Sequence, residues 1–423
     1  MTWLRRYRIK QFLRDSVWLP PLLAMAVVLF VQPVVGRLDR ILDVKAVIGP
    51  ESARAVLAAL APSMLTFIVF VFSIMLVTVQ LASAQLTPRI IASFFRSGIL
   101  RLSLTVFVFA FAYTLAALSR IEDSVPQIAV WIAAYSSAAC IGVFLYLIDY
   151  VGRSLRPVSV LTAVGNNGQE VIRDVYPLPV TAMEIVPTGA APLSKEARSR
   201  TVKTSRTGVV LAFDIAGLVD LARRADCTIE FVPQVGNFVT NGETLFRLYG
   251  GGERLPDRAL DQSVAIGSER TMPQDPEFAF RIIVDIAAKA LSPAINDPTT
   301  AVLALDQVHR LLRAVAERQL DTGLVHDNAG QLRLVYRTPD WEDFVGLAVT
   351  EIRQFGRDSI QVVRRMRAML ENLIDTVSPH RAALLRAELE LLDRGVERDF
   401  RDPEDRVRAA SADSLGVGGS AEL

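Results

Sequence analysis

Between residues 270 and 300 the chain gathers Arg270, Thr271, Asp275, Asp285, Ser292, Asn296, Asp297, Thr299 and Thr300. Carboxylates, an amide and hydroxyls are hard oxygen donors, and a cluster built from them would suit magnesium or calcium. No EF-hand spacing, Walker lysine motif, nucleophile elbow or HExxH string supports a definite chemistry for that cluster. Cys140 and Cys227 lie far apart, and His309, His326 and His380 show neither HxxxH nor HxH spacing. The sequence therefore predicts no metal, no cofactor and no assigned catalytic residue, and the chain reads as a non-enzyme.

A structural reading accounts for much of the same stretch. "QDPEF" and "NDPTT" share one construction, Asp275-Pro276 and Asp297-Pro298. Proline as first helical residue gives up only an amide the helix leaves unpaired, and the aspartate before it accepts from the next free amides. Such a cap contributes about 1 kcal/mol. It also occupies the donors an anion would use, which argues against a phosphate site at either helix start. "KALSPAINDPTTA", residues Lys289 to Ala301, is then a helix-turn-helix corner: Ser292-Pro293 ends one helix and Asp297-Pro298 begins the next. Capping leaves the purpose of Ser292, Asn296 and Thr300 open.

The elements that carry this corner are amphipathic. "PEFAFRIIVDIAAKAL" puts Phe280, Ile283, Val284, Ala287 and Leu291 on one face, and "PTTAVLALDQVHRLLRAVAERQL" turns Val302, Leu305, Leu312 and Ala316 inward. Three more helices follow near 340–354, 358–376 and 379–396, so residues 256–396 read as a helical bundle. Before it, residues 206–252 read as a small β module. Within it "GNFVTNGETL" (Gly236, Val239, Gly242, Leu245) is similar to the G-x-x-V-x-x-G-x-x-L turn of barrel-sandwich domains of the biotinyl and lipoyl type. No lysine lies near a hairpin tip, so an attached swinging cofactor is not expected. Residues 156–205 read as a connector with some β structure, and 397–423 as a disordered tail.

The first 155 residues are different. They carry 14 Lys/Arg against 7 Asp/Glu, leaving 32 against 38 for the rest. Four apolar stretches, about 17–36, 56–82, 102–119 and 126–148, are long enough to cross a bilayer. Ten basic residues flank the spans on one side (Arg5, Arg6, Arg8, Lys10, Arg14, Arg89, Arg96, Arg101, Arg153, Arg156) and five on the other. The positive-inside rule then puts both termini in the cytoplasm. In span two Thr66, Ser73, Gln80 and Thr87 recur every seven residues and form one polar stripe, fit either to line a pore or to pack helices. After it, "LTPRIIASFFRSGILR" reads as an interfacial segment.

The chain therefore reads as an α-helical membrane protein with four transmembrane helices followed by a cytoplasmic α+β region. Its string "SERTMPQDPEFAFRIIVDIAAKALSPAINDPTTAVLALDQ", with "VQLASAQLTPRI" ending span two and "GNFVTNGETL" between them, resembles the bacterial predicted membrane proteins classed as domain of unknown function 2254. One departure is Thr87, where the family pattern favours Ser before the proline. The resemblance implies a bacterial inner-membrane protein and supplies no activity. Three functions stay open. The first is an oligomeric channel or transport-related protein with a cytoplasmic regulatory domain. The second is a non-conducting scaffold or sensor that binds a partner or small ligand, and the third a membrane enzyme centred on Asp275 to Asp297. The expected partners are the lipid bilayer, further copies of the chain, and an ion or small ligand of unspecified kind. Nucleic acid is excluded by the net acidic cytoplasmic half.

Overall fold

The computed structural model describes residues 2–42, 47–85, 98–121, 125–154, 156–180 and 198–416. Thr87, the expected interfacial segment as far as residue 97, residues 181–197 of the connector and residues 417–423 lie outside the described residues, and the last four residues of that segment, 98–101, begin a long apolar helix. The chain divides into two compact units, one of Ile9–Ser159 and one of Met1–Arg8 with Val160–Leu423. A first helix, α1 (Trp3–Asp15), runs from one unit into the other.

The membrane unit consists of α2 (Leu19–Leu42), α3 (Pro50–Gln85), α4 (Gly98–Leu118) and α5 (Gln127–Ser154), all four long and apolar enough to cross a bilayer. The helices outrun the apolar stretches read from sequence, because a helix continues past the hydrocarbon boundary wherever its residues still favour it. Helix α4 is the most buried and packs against the other three. Its Ser103, Ala110, Thr114 and Ala117 are small enough to let neighbouring backbones come close. At one end, polar groups replace apolar packing. Gln127 exchanges two hydrogen bonds with the Ile48 backbone, Asp39 accepts from Ile128 N at 3.0 Å, and Arg54 donates to Ile121 O at 2.7 Å.

The second unit opens with a departure from expectation. Residues Pro157–Val175 form a helix, α6, and of the β structure expected in the 156–205 connector the strand Arg198–Lys203 lies at its end. Short glycine- and asparagine-containing runs such as "VGNNGQEV" mimic turns, yet here the glycines serve close helix packing, since a Cβ at Gly168 would lie 2.8 Å from Ala279 Cβ. Strands β1 (Arg198–Lys203), β2 (Gly208–Phe213), β3 (Cys227–Phe231), β4 (Phe238–Val239), β5 (Thr244–Gly250) and β6 (Val264–Gly267) follow, with α7 (Ile215–Ala225) after β2 and the short α8 (Asp257–Asp261) before β6.

The long helices are α9 (Pro276–Ala290), α10 (Pro298–Ala316), α11 (Trp341–Phe355), α12 (Ile360–Thr376) and α13 (Pro379–Asp399). Helix α9 is buried nearly all round, beyond the single face its periodicity suggests, because α6, α10 and α11 all pack on it. The stretch from 256 to 396 is not purely helical. A hairpin, β7 (Leu324–His326) and β8 (Leu332–Tyr336), leaves the bundle and joins the β module. The resulting five-stranded sheet has the order β1-β5-β3-β8-β7, with β8 parallel to β3, and a three-stranded sheet has the order β4-β2-β6. Trp3, Leu4 and Tyr7 of α1 pack on the latter against Val209, Leu211, Ala212 and Ala265.

The tail is also ordered as far as Gly416. Helix α14 (Pro403–Ala409) and the residues after it lie along α12: Asp413 is buried, Asp413 N donates to Arg364 O, and Arg364 Nε donates to Ser411 O. Composition reads this stretch as unstructured because its order comes from Arg364 and neighbouring polar groups on α12, not from apolar periodicity.

Candidate functional site

Two sequence strings that lie far apart meet at one guanidinium. Arg270 follows β6 and turns back onto Asp275, the residue that caps α9. Its Nε and Nη2 both donate to the Asp275 carboxylate, the Nη2 bond being 2.9 Å, and Nη2 also reaches Glu277 Oε2 at 3.2 Å. Asp275 is only 3% exposed and in addition accepts from Phe278 N at 3.1 Å. The guanidinium carbon sits 5.8 Å from the Phe278 ring centre, and a Cβ on Gly236 would fall 2.5 Å from it.

Gly236 therefore has two reasons to be glycine: a φ of +92° and the Arg270 guanidinium against it. Its partner in the turn, Gly242, has a φ of +91° and open space where a Cβ would stand. Val239 and Leu245 are buried and pack into the β core, so all four turn residues have structural roles. Gln234, on the same loop, donates to Glu277 Oε2 at 3.2 Å, and Gln274 accepts from Phe213 N at 3.1 Å. The junction thus locks the β4 loop and the end of β2 to the start of α9.

Burial dominates the electrostatics. It pushes the Asp275 carboxyl above its ordinary value, opposed by Arg270 and the Phe278 amide. Glu277 is pushed up to about 7, by burial first and then by the neighbouring Asp275 charge, with Arg270 opposing. A carboxyl that changes charge near neutrality therefore stands where the β module meets the bundle. Glu277 and Gln234 gave no signal in the sequence, where the first looks like an ordinary first-turn glutamate. Thr271 is buried, and its hydroxyl has no partner among the described residues.

The remaining residues of the 270–300 cluster do not converge on this junction. Helix α9 has 15 residues and is therefore about 22 Å long, which sets Asp275 and Asp297 at opposite ends. Asp285, on the helix between them, pairs with Arg281, which also holds Glu351 of α11 through two bonds of 2.6 and 2.7 Å. At the far end Asp297 Oδ1 accepts from Thr300 N at 3.0 Å and Oδ2 from the Thr300 hydroxyl at 2.5 Å. Ser292 Oγ donates to Lys289 O at 2.7 Å, and Ser292 O accepts from the amides of Ile295 and Asn296. Asn296 has a φ of +49°, the left-handed conformation that asparagine tolerates better than most residues. Thr299 is exposed. Among the described residues no group of three His, Cys, Asp or Glu side chains is placed to hold a metal ion.

In the membrane unit, Thr66, Ser73 and Gln80 are exposed on the outer side of α3, away from the bundle's own core. The Thr66 and Ser73 hydroxyls each donate to a carbonyl four residues back, Pro62 O and Val69 O, at 3.0 Å.

An α-helical membrane protein with a large folded α+β half is the class that these features define. The chain belongs to the family described as predicted membrane protein (DUF2254), whose model matches residues 14–372 and so takes in the stripe, the glycine turn and both Asp-Pro helix starts. It is similar to two uncharacterized mycobacterial proteins, Mb1321c of Mycobacterium bovis and Rv1290c of Mycobacterium tuberculosis. Each is 28% identical over 429 residues, an alignment that covers 96% of this chain and 81% of the relative. No solved structure matches it.

Proposed function

We propose that the protein is an oligomeric channel or transport-related protein of the bacterial inner membrane, without enzymatic activity, regulated through a cytoplasmic α+β domain. The observation that carries this reading is the outward position of Thr66, Ser73 and Gln80 on α3. Had the stripe packed inside its own four helices, a self-contained scaffold would account for it. A polar row on the outer surface of the bundle calls for water or another copy of the chain, since an amide such as that of Gln80 is costly in hydrocarbon unless it is hydrogen-bonded. Both termini on the cytoplasmic side agrees with the excess of basic residues there and with the even number of spans. It agrees also with the seat of Trp3, Leu4 and Tyr7 on the β2–β6 sheet of the soluble unit. The junction at Arg270 would serve as the stiff connection within the regulatory domain, whose β part takes the barrel-sandwich-like role.

A second reading has its own observation. The Thr66 and Ser73 hydroxyls are satisfied by their own helix, which lowers the cost of facing lipid and suits a non-conducting scaffold or sensor. Reconstitution separates the two. The channel reading expects an oligomer in native nanodiscs, ion flux in liposomes, and loss of both in the triple variant Thr66→Leu, Ser73→Leu, Gln80→Leu. A monomer that passes no ions, indifferent to the three substitutions, would sink it.

A further inference from the structure

Helix α6 carries Gly165 and Gly168, and both face other helices closely: a Cβ at Gly165 would lie 2.4 Å from Gln307 Oε1, and one at Gly168 3.1 Å from Leu311 Cδ2. Beside this contact, α6 and α10 bound a cavity of about 140 Å³, lined by Gln169, Arg173, Arg310, Arg313, Glu317 and Arg318 with Ala314. Gln169 and Arg173 are four residues apart, and Arg310, Arg313, Ala314 and Glu317 recur at helical spacing, so one face of each helix supplies the lining. Glu170 and Asp174 each follow a lining residue by one position, about 100° further round the helix. Four arginines thus line the cavity against one glutamate.

Arginines near helix C-termini commonly serve the unpaired carbonyls there. At α10 that work is done by a different residue. Arg381, buried and reaching in from α13, donates to Val315 O, Ala316 O and Arg318 O at 3.3, 2.8 and 3.1 Å. The cavity arginines are correspondingly underused. Arg313 comes no nearer than 3.9 Å to Glu317, Arg318 donates to Pro177 O at 3.1 Å, and Arg310 gives Nη2 to Asn166 at 2.6 Å. The Arg310 Nε is buried with no partner among the described residues, and Arg173 forms no ion pair among them.

We infer that this cavity binds a tetrahedral oxyanion, the phosphate group of a soluble phosphate or of an anionic lipid, held by Arg173, Arg310 and Arg313 with Gln169 as a neutral donor. Guanidinium forks match phosphate oxygens two at a time. The volume suits one such group and falls below the several hundred Å³ that larger organic ligands occupy. The inference stands apart from the channel reading, since it needs neither conduction nor an oligomer.

The test uses the full chain. In neutral detergent, inorganic phosphate is titrated against chloride at equal ionic strength while the melting temperature and binding heat are followed. In nanodiscs, phosphatidylglycerol is compared with phosphatidylcholine. The expected result is saturable stabilisation in at least one arm, with Arg173→Gln and Arg310→Gln each weakening it at least tenfold, the loss typical of one charged hydrogen-bond donor. Response to free phosphate identifies a soluble ligand, and response to phosphatidylglycerol alone identifies a lipid headgroup. Arg173→Gln keeps the ligand-free melting temperature, because Arg173 has no described ion pair to lose, so its effect on binding is read cleanly. No stabilisation in either arm, or stabilisation that both variants retain, overturns the inference.

Discussion

Asp275 and Asp297 are spelled alike in the chain, an aspartate before a proline at a helix start, and both cap their helices through an amide three residues on. Their surroundings diverge. Asp275 is buried against Arg270 with Glu277 beside it, whereas Asp297 is half-buried and takes its second bond from Thr300, inside the same turn. One aspartate therefore answers to the tertiary structure and the other to its own helix. A local motif fixes the backbone, and what the packing brings to it decides whether it also holds two elements together.

The largest expected effect comes from breaking this contrast at its buried end. Asp275→Ala removes a cap and strands a half-buried guanidinium, a loss of about 3 kcal/mol by analogy with broken buried pairs, whereas Asp297→Ala costs about 1 kcal/mol. Thermal or denaturant unfolding of the detergent-solubilised protein reads both, and equal losses would show that the two starts are equivalent after all. Next comes the glycine turn. Gly236→Ala meets a strained φ and the Arg270 guanidinium at once, and should cost about 2–3 kcal/mol, whereas Gly242→Ala meets only the strained φ, about 1 kcal/mol. The gap between them should close in an Arg270→Ala background, and a gap that persists there would separate Gly236 from the junction.

How much of this was legible follows from which signals are local. The membrane helices, the five long amphipathic helices and both Asp caps are written in periodicity and in Asp-Pro pairs, and those can be read without knowing the fold. The hairpin Leu324–Tyr336 was readable in principle, since "LVHDNAGQLRLVY" alternates around an Asp-Asn-Ala-Gly turn with Gly330 at a φ of +77°. Its pairing with β3, about a hundred residues earlier, was not. The Arg270 junction was half legible: Arg270, Asp275 and Gly236 each stood out, but no spacing rule joins a glycine on one loop to an arginine 34 positions later. The grouping of Asp275 with Asp297 failed for the converse reason, because neighbours in sequence sit at opposite ends of one helix.

Glu277 sharpens the comparison through pH, with a smaller effect. Its carboxyl is pushed up to about 7 from an ordinary 4.5, so the folded protein holds this proton more tightly than the unfolded chain. The resulting stability is fully present below about pH 4.5 and is lost as pH rises towards 7, with a slope of at most about 1.4 kcal/mol per pH unit. Glu277→Gln should remove that slope and leave the variant more stable than the wild type at pH 8. Parallel stability profiles for the two proteins across pH 5–8 would place the Glu277 proton elsewhere.

The smallest effect is expected at Asn296, and it bears most directly on whether the corner from Lys289 to Ala301 does chemistry. The left-handed backbone there accounts for the residue without any ligand. Replacement by glycine, which adopts that conformation freely, should change stability by less than about 0.5 kcal/mol, while Asn296→Ala should cost about 1 kcal/mol. The pair dissociates shape from chemistry, because both variants lose the side-chain amide and only one loses the easy backbone conformation. If Asn296→Gly is as stable as the wild type and supports the same cellular or transport phenotype, the amide is not a ligand and the corner is architecture. Should the glycine variant fold normally but abolish function, the side chain itself touches something, and the search for a site would return to the exposed turn between α9 and α10.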